Sequence, residues 1–146
     1  MPRMTRVNLD SRGPWEPVIG YARAVKVDSH IYVSGTTATD ANGGVVGIGE
    51  PYTQAVFIIR KIATALHLLG ADLSDVVRTR IFLTDLDSWP VVARAHREAF
   101  AGILPANSLL VVSALVSPDL LVEIEADAEI AAGATGATTI VDNLAG

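Results

Sequence analysis

The sequence contains no cysteine among its 146 residues. Disulfides, thiolate metal sites and a cysteine nucleophile are therefore excluded. Aromatic residues are also scarce, at 5%, whereas half of the residues are hydrophobic. The core must therefore be built mainly from Val, Ile, Leu and Ala, and the length favours one domain with a substantial core.

Basic residues are few and dispersed. The chain has 11 Lys and Arg against 16 Asp and Glu, a net charge of -5, which would repel a nucleic-acid backbone. The start, MPRMTRVNLDS, lacks the apolar core of a secretory signal, and no apolar run approaches the roughly 20 residues that span a bilayer. We therefore expect a soluble, cytoplasmic protein without a nucleic-acid or membrane partner.

The common cofactor and metal motifs are also missing. No GxSxG, Walker or GxGxxG pattern is present, and GGVVG lacks the Lys and the strand-to-helix context of a phosphate loop. Three scattered His without Cys do not form a zinc site, and the acidic residues lack EF-hand spacing. We expect neither a metal nor a cofactor.

The hydrophobic pattern predicts the element order β-β-α-β-α-β-β. The predicted elements are strands at 20–27, 30–37 and 75–84, helices at 51–69 and from about 90 to 101, and two strands within 105–130 joined by a short turn at 117–119. Such elements pack as one mixed sheet with two helices on one face, an α+β fold. Residues 1–131 then form one domain with an irregular arm at 1–17, and the Gly/Ala/Thr-rich residues 132–146 form a flexible tail.

The last predicted strand alternates strictly between apolar and acidic residues. The acidic side chains share one face, because successive side chains leave a strand on opposite faces; they are Glu123, Glu125, Asp127 and Glu129. Acidic residues are poor strand formers, so the row needs a cause. Either the face lies in open water, or one end of the row lines a cleft where a carboxylate handles protons.

The predicted helices carry further polar side chains. His67 is interpreted as a solvated residue near a helix C-terminus, where the helix dipole favours it. His96 lies on the inner stripe of the second helix, where a packed, hydrogen-bonded residue is the more common role than a catalytic base. Arg94 and Arg97 lie elsewhere on that helix, and a solvated position is their default interpretation.

Several stretches together resemble the RidA/YjgF family, also called the endoribonuclease L-PSP family. They are the end motif PANSLLVVSALVSPDLLVEIEA, the VSG of the second strand, and the order of elements between about residues 18 and 130. The resemblance implies a chorismate-mutase-like fold and a homotrimer with a barrel-like centre. It also implies a small-molecule cleft at each subunit interface, in which family members hydrolyse imines and enamines.

The resemblance assigns site residues one by one. Tyr21 matches the pocket Tyr, Ser34 and Gly35 match the Ser-Gly segment, and Glu123 matches the catalytic Glu. Each also has a structural interpretation: a half-buried strand aromatic for Tyr21, a bulge for Gly35 and a surface position for Glu123.

The chain departs from the family pattern where an Arg binds the substrate carboxylate. The family motif Pro-x-Arg-Ser is Pro-Ala-Asn-Ser here, so Asn107 replaces the Arg, and Leu109 replaces a residue that is Cys in many members. Losing charge-assisted hydrogen bonds costs roughly 10–200-fold in affinity. We hypothesise that Arg94, at a position that matches a pocket-lining residue, replaces the missing guanidinium.

Three functions follow from these patterns. The first is a hydrolase or deaminase of a small imine or enamine, in which Glu123 and Tyr21 act catalytically and Ser34, Gly35, Arg94, Asn107 and Leu109 bind the substrate. The second is a member of the same family that binds a metabolite without turning it over. The third, a nuclease as in the older family name, is disfavoured by the acidic charge.

Overall fold

The structure, a computed structural model, describes residues 2–131. Its strands are β1 (Arg6–Leu9), β2 (Ala24–Val27), β3 (His30–Thr37), β4 (Val76–Leu83), β5 (Ala106–Val111) and β6 (Val122–Glu129). Its α-helices are α1 (Glu16–Ile19), α2 (Pro51–Leu68) and α3 (Trp89–Phe100), and two short 3-10 helices span Leu73–Asp75 and Leu86–Ser88.

The strands form one mixed sheet in the order β1-β2-β3-β6-β4-β5. Only β4 and β5 pair in parallel among the described strands, and all other neighbours are antiparallel. The mixed sheet and its helices confirm the predicted α+β class. The predicted tail lies outside the described residues.

Helix α2 forms because its apolar residues recur at three- and four-residue spacing along one stripe. Pro51 occupies its first turn, and Gly70, with a φ of 84°, follows its end. The sequence spacing predicts that this stripe faces the core, and its residues are buried in the structure: Ala55, Ile58, Ile59, Ile62, Leu66 and Leu69. This stripe packs on the sheet and beside α3, so both long helices share one core with the inward side chains of the strands.

The alternation predicted for the last strand is confirmed in β6. Its buried positions are Val122, Ile124, Ala126 and Ala128, and they face the helices. The acidic row therefore lies on the opposite face of the sheet. Because β6 pairs with both β3 and β4, it is the strand around which the sheet is centred.

Gln54 is the polar side chain that ties α2 to the loops, and it is fully buried. Its Nε2 donates to the carbonyls of Gly47 at 3.1 Å and Asp119 at 2.8 Å, while its Oε1 accepts from the Leu121 amide at 2.9 Å. These three bonds satisfy the buried amide and hold the loop that leads into β6 against the helix.

The structure corrects the interpretation of residues 1–17 as an irregular arm. Residues 6–9 pair with β2, and residues 16–19 form a single helical turn. These segments are too short for a periodic signal; a free strand edge and the buried Glu16 carboxylate stabilise them. The predicted strand at 20–27 is shortened to β2, because the chain turns at Gly20, which has a φ of 87°.

The last two strands are also not joined by a short turn. Residues 112–121 connect them, and β5 lies at the sheet edge beside β4, because both edges of β6 are already paired. Strand alternation places Val77 on the same face as Thr79 and Ile81, but a register shift between Val76 and Arg78 turns Val77 outward and leaves it about half exposed. The helical periodicity of residues 89–100 predicts Trp89 on the inner face of α3, but the structure leaves it half exposed.

Candidate functional site

A cleft of about 850 Å³ opens beside the end of β3. Strand β2 pairs with β3 only as far as Val33, so none of the described strands pairs with residues 34–37 on that side. The gap is enclosed by α2 and by the strap, which we define as residues 9–23 including α1. Four of the predicted site residues line this cleft, and they are Tyr21, Ser34, Gly35 and Glu123.

Gly35 and Glu123 lie in direct contact. The register of β3 against β6 shifts between Val33 and Thr36, so the predicted bulge at Gly35 is confirmed. A Cβ built on Gly35 would overlap Glu123 Oε1 and lie 3.0 Å from its Cδ. The missing side chain of Gly35 therefore provides the space that the Glu123 carboxylate occupies.

The Glu123 carboxyl is partly withdrawn from water. This burial raises its pKa above the ordinary value, the nearby Arg23 opposes the rise, and Glu125 adds to it. A carboxyl in this state can take up and return a proton more readily near neutral pH than an exposed one.

The rest of the acidic row is partly neutralised. Arg80 Nη1 donates to Glu125 Oε1 at 3.2 Å and to Asp127 Oδ2 at 3.4 Å. Glu129, at the far end, is exposed and lies 3.8 Å from His30. The row thus has one end in the cleft and the other at the surface, as the second sequence interpretation requires.

Tyr21 and Ser34 are positioned by the chain that enters β2. The Ser34 hydroxyl donates to the Ala22 carbonyl at 2.7 Å, and its amide donates to the Arg23 carbonyl at 3.0 Å. The hydroxyl proton of Ser34 is therefore engaged, and its Oγ offers lone pairs to the cleft rather than a free proton. The Tyr21 ring lies beside the Arg23 guanidinium, at 5.8 Å from ring centroid to Cζ.

Two partly buried cations in the cleft, Arg23 and Lys61, were not identified from the sequence. The Arg23 guanidinium donates to the Gly35 carbonyl, and burial lowers its pKa below the ordinary value. Lys61 Nζ donates to the carbonyls of Thr37 at 2.9 Å and Thr39 at 2.8 Å. Burial, together with the charge of Arg23, lowers its pKa to about 8.

The remaining predicted residues lie outside this cleft. Asn107 Nδ2 donates to Thr79 Oγ1 at 3.0 Å, and the same hydroxyl contacts His96 Nε2 at 2.8 Å on the helix side of the sheet. Leu109 packs against the same core. Within one chain, Asn107 and Glu123 therefore lie on opposite faces of the sheet.

Arg94 is engaged elsewhere as well. Its guanidinium lies 4.2 Å from the centroid of the Tyr52 ring, and its Nε lies 3.8 Å from Glu98 Oε1. Tyr52 donates to Glu98 Oε2 at 2.6 Å, which closes a three-residue cluster between α2 and α3. Arg94 is not among the residues that line the Glu123 cleft in the same chain.

Over residues 2–131, no group of three His, Asp or Glu side chains is arranged to hold a metal ion. None of the helices in this part of the chain is both long and apolar enough to cross a membrane.

The raised pKa of Glu123 predicts a pH-dependent effect of Glu123→Gln on stability. Between the ordinary Glu pKa and the raised one, the folded state binds more protons, so stability falls as pH rises through this window. At neutral pH the neutral amide avoids the burial cost, so we expect a Tm higher by about 1–4 °C, with the gain lost below about pH 4. Thermal unfolding across pH measures it. Glu129→Gln, at the exposed end of β6, is the control; an equal gain there, or none in Glu123→Gln, would contradict the prediction.

Comparisons with known proteins place the chain among relatives. The endoribonuclease L-PSP family model matches residues 13–130. An uncharacterised protein of Streptomyces coelicolor is 34% identical over 120 residues, which cover 82% of this chain and 89% of that protein. The protein named 3-aminoacrylate deaminase RutC of Acinetobacter baylyi is 34% identical over 114 residues, covering 78% of this chain and 90% of its own length.

The fold is also found among solved structures. A crystal structure described as a member of the YjgF family, from Mycobacterium tuberculosis, superimposes with a TM-score of 0.78 at 40% identity. The match covers 86% of this chain and 100% of the other chain. The shared architecture therefore extends over most of this chain.

Proposed function

The chain belongs to the endoribonuclease L-PSP family, the RidA/YjgF family, and we propose that it hydrolyses a small imine or enamine in the Glu123 cleft. The observation that supports this proposal most directly is the Glu123 carboxyl, which has a raised pKa and lies against the Gly35 bulge. The relative named 3-aminoacrylate deaminase supports a deaminase function at the level of the family.

The proposed reaction adds water to a carbon-nitrogen double bond. Glu123 accepts a proton from water as the oxygen bonds to the imine carbon, and it returns that proton to the nitrogen. The resulting carbinolamine collapses to a carbonyl compound and ammonia. An enamine first tautomerises to the imine. The Glu123 carboxylate also stabilises the positive charge of the iminium form.

The other residues then orient the substrate. Tyr21 closes the pocket and donates a hydrogen bond, Ser34 presents its hydroxyl lone pairs, and the backbone at Gly35 borders the reacting group. Asn107 and Leu109 face away from Glu123 within one chain, so they can reach the substrate only from a neighbouring copy.

We therefore infer a homotrimer with a barrel-like centre, in which each cleft is completed by a second subunit. Apolar side chains at the sheet surface and at its β5 edge support this assembly. They are about half exposed in the single chain, and they include Tyr32, Leu110 and Val111. In such an assembly Arg94 contributes to a neighbouring cleft only by leaving Tyr52 and Glu98; unchanged ligand binding by Arg94→Ala would exclude it.

The test is ammonia release from imines generated in place by an amino-acid oxidase. We expect release of ammonia and keto acid to accelerate in proportion to the concentration of the protein. Release no faster than in buffer, with the assembly intact, would reject hydrolysis of those imines.

A second candidate function is binding without turnover. The replacement of the family Arg by Asn107, whose amide is engaged with Thr79, favours it. Saturable thermal stabilisation by a metabolite that is recovered unchanged would support this function. The protein is proposed to act in the cytoplasm on a small molecule rather than on nucleic acid, without a metal or cofactor.

A further inference from the structure

Arg23 is an unusual side chain because its donors are largely unmatched. Within residues 2–131, the guanidinium has one hydrogen-bond acceptor, the Gly35 carbonyl, to which its Nη2 donates. Its Nε is fully buried and has no hydrogen-bond partner in this part of the chain. A buried donor without an acceptor costs free energy, and burial of the guanidinium already lowers its pKa.

Lys61 presents a second cation to the same cleft. Two of its three N–H donors are directed to the carbonyls of Thr37 and Thr39, which leaves one N–H free among the described contacts. The charge of Arg23 disfavours the charged form of Lys61, so the two cations repel each other in a partly dry site. A bound anion would offset the repulsion between the two charges and accept from the free N–H of Lys61.

Other charged groups also line the cleft, and most are already satisfied. Glu16 accepts from Ser11 N at 3.2 Å, Ser11 Oγ at 2.6 Å and Gly13 N at 2.7 Å. Asp40 accepts from the amides of Asn42 and Gly44, each at 2.9 Å, and Glu125 accepts from Arg80.

Two charged groups remain to be considered in the cleft. Arg60 lies at its exposed rim and adds a further positive charge. The burial of Glu123 disfavours its charged form. The acids Glu16, Asp40 and Glu123 attract the two cations, but within residues 2–131 none of them forms a hydrogen bond or salt bridge with Arg23 or Lys61, so both cations keep donors without an acceptor.

We propose that Arg23 and Lys61 form an anion-binding subsite that takes the carboxylate of the substrate. The proposal rests on the Glu123 cleft being the ligand site of the proposed function. It moves recognition of the substrate carboxylate from the position of Asn107, where the family resemblance puts it, to the strap and α2. The apolar side chains of Trp15, Phe57 and Leu68, which line the same cleft, contact the remainder of such a molecule.

Calorimetric titration with 2-oxobutanoate and its neutral analogue 2-oxobutanamide tests the subsite. We expect the wild type to bind the carboxylate at least tenfold more tightly than the amide. In Lys61→Met this preference falls roughly tenfold, because a charge-assisted hydrogen bond is lost. In the wild type it also declines as pH rises through about 8, where Lys61 loses its proton, and in Lys61→Met it does not.

The matched control is Lys26→Met, which removes the same charge outside the cleft, where Lys26 Nζ donates to the Leu69 carbonyl. Arg23→Met removes the other charge of the subsite. If this variant fails to fold, Arg23→Lys replaces it in the experiment, because Lys keeps the positive charge but lacks the planar guanidinium. Equal binding of carboxylate and amide by the wild type, or equal preference in Lys61→Met and Lys26→Met, overturns the subsite. If Lys61-dependent binding occurs without ammonia release, the subsite stands and hydrolysis fails.

Discussion

Glu123→Gln should lower kcat/KM for imine hydrolysis by about 10²–10⁴-fold, the usual contribution of a positioned proton-transfer group. The amide has nearly the same shape as the carboxyl, but it can neither accept the proton of water nor return it to nitrogen. The measurement is the rate of ammonia release from oxidase-generated imines, with folding verified by thermal unfolding.

The control is Glu129→Gln, which changes the same residue type on the same face of β6 but at its exposed end. This variant should retain wild-type activity. If Glu123→Gln keeps a third or more of the wild-type rate, Glu123 does not transfer the proton. If an activity survives the substitution but is lost on further purification, it belongs to a contaminant.

Gly35→Ala should lower kcat/KM by about 10²-fold while leaving the fold intact. The added Cβ would overlap the Glu123 carboxylate, which must then move by an ångström or more. Displacement of this size costs about two orders of magnitude in rate for a positioned group. The displaced atoms are the end of a flexible side chain and Gly35 does not require a positive φ, so we expect the Tm to change little.

Gly102→Ala provides the matched control for Gly35→Ala. A Cβ at Gly102 meets nothing within 4 Å, so the same substitution there should leave activity unchanged. Steady-state kinetics and thermal unfolding of both variants separate the two effects. Unchanged activity in Gly35→Ala would mean that the carboxylate position is not critical, whereas a large fall in Tm would attribute the loss to misfolding.

The regular elements were predictable where one repeating pattern determined burial. The stripe of α2 and the alternation of β6 each repeat over several turns or residue pairs, and both are buried as expected. The bulge at Gly35 was predictable because a Gly inside a strand often marks a bulge or a close approach to the backbone. The proximity of Glu123 to Gly35 followed from the family resemblance rather than from any periodicity.

The unpredicted parts depend on contacts between segments that are distant in sequence. β1 is four residues long and forms because β2 offers a free edge. Lys61 lies off the apolar stripe of α2, where solvated residues are expected. It lines the cleft because of the gap beside the end of β3. Arg23 could have been noticed, since it lies two residues after Tyr21 and therefore on the same side of an extended chain.

The central position of β6 governs the order in which this chain can assemble. The two strands that flank it, β3 and β4, are synthesised long before it, and each keeps an unpaired edge until residues 122–129 leave the ribosome. Such edges invite pairing with other nascent chains. The pairing of β3 with β6 also joins residues about 90 positions apart, a separation that slows folding. Glu123, the carboxylate that the proposed chemistry needs, lies on β6 itself. A nascent chain that ends before β6 therefore lacks both the complete core and the proposed catalytic group.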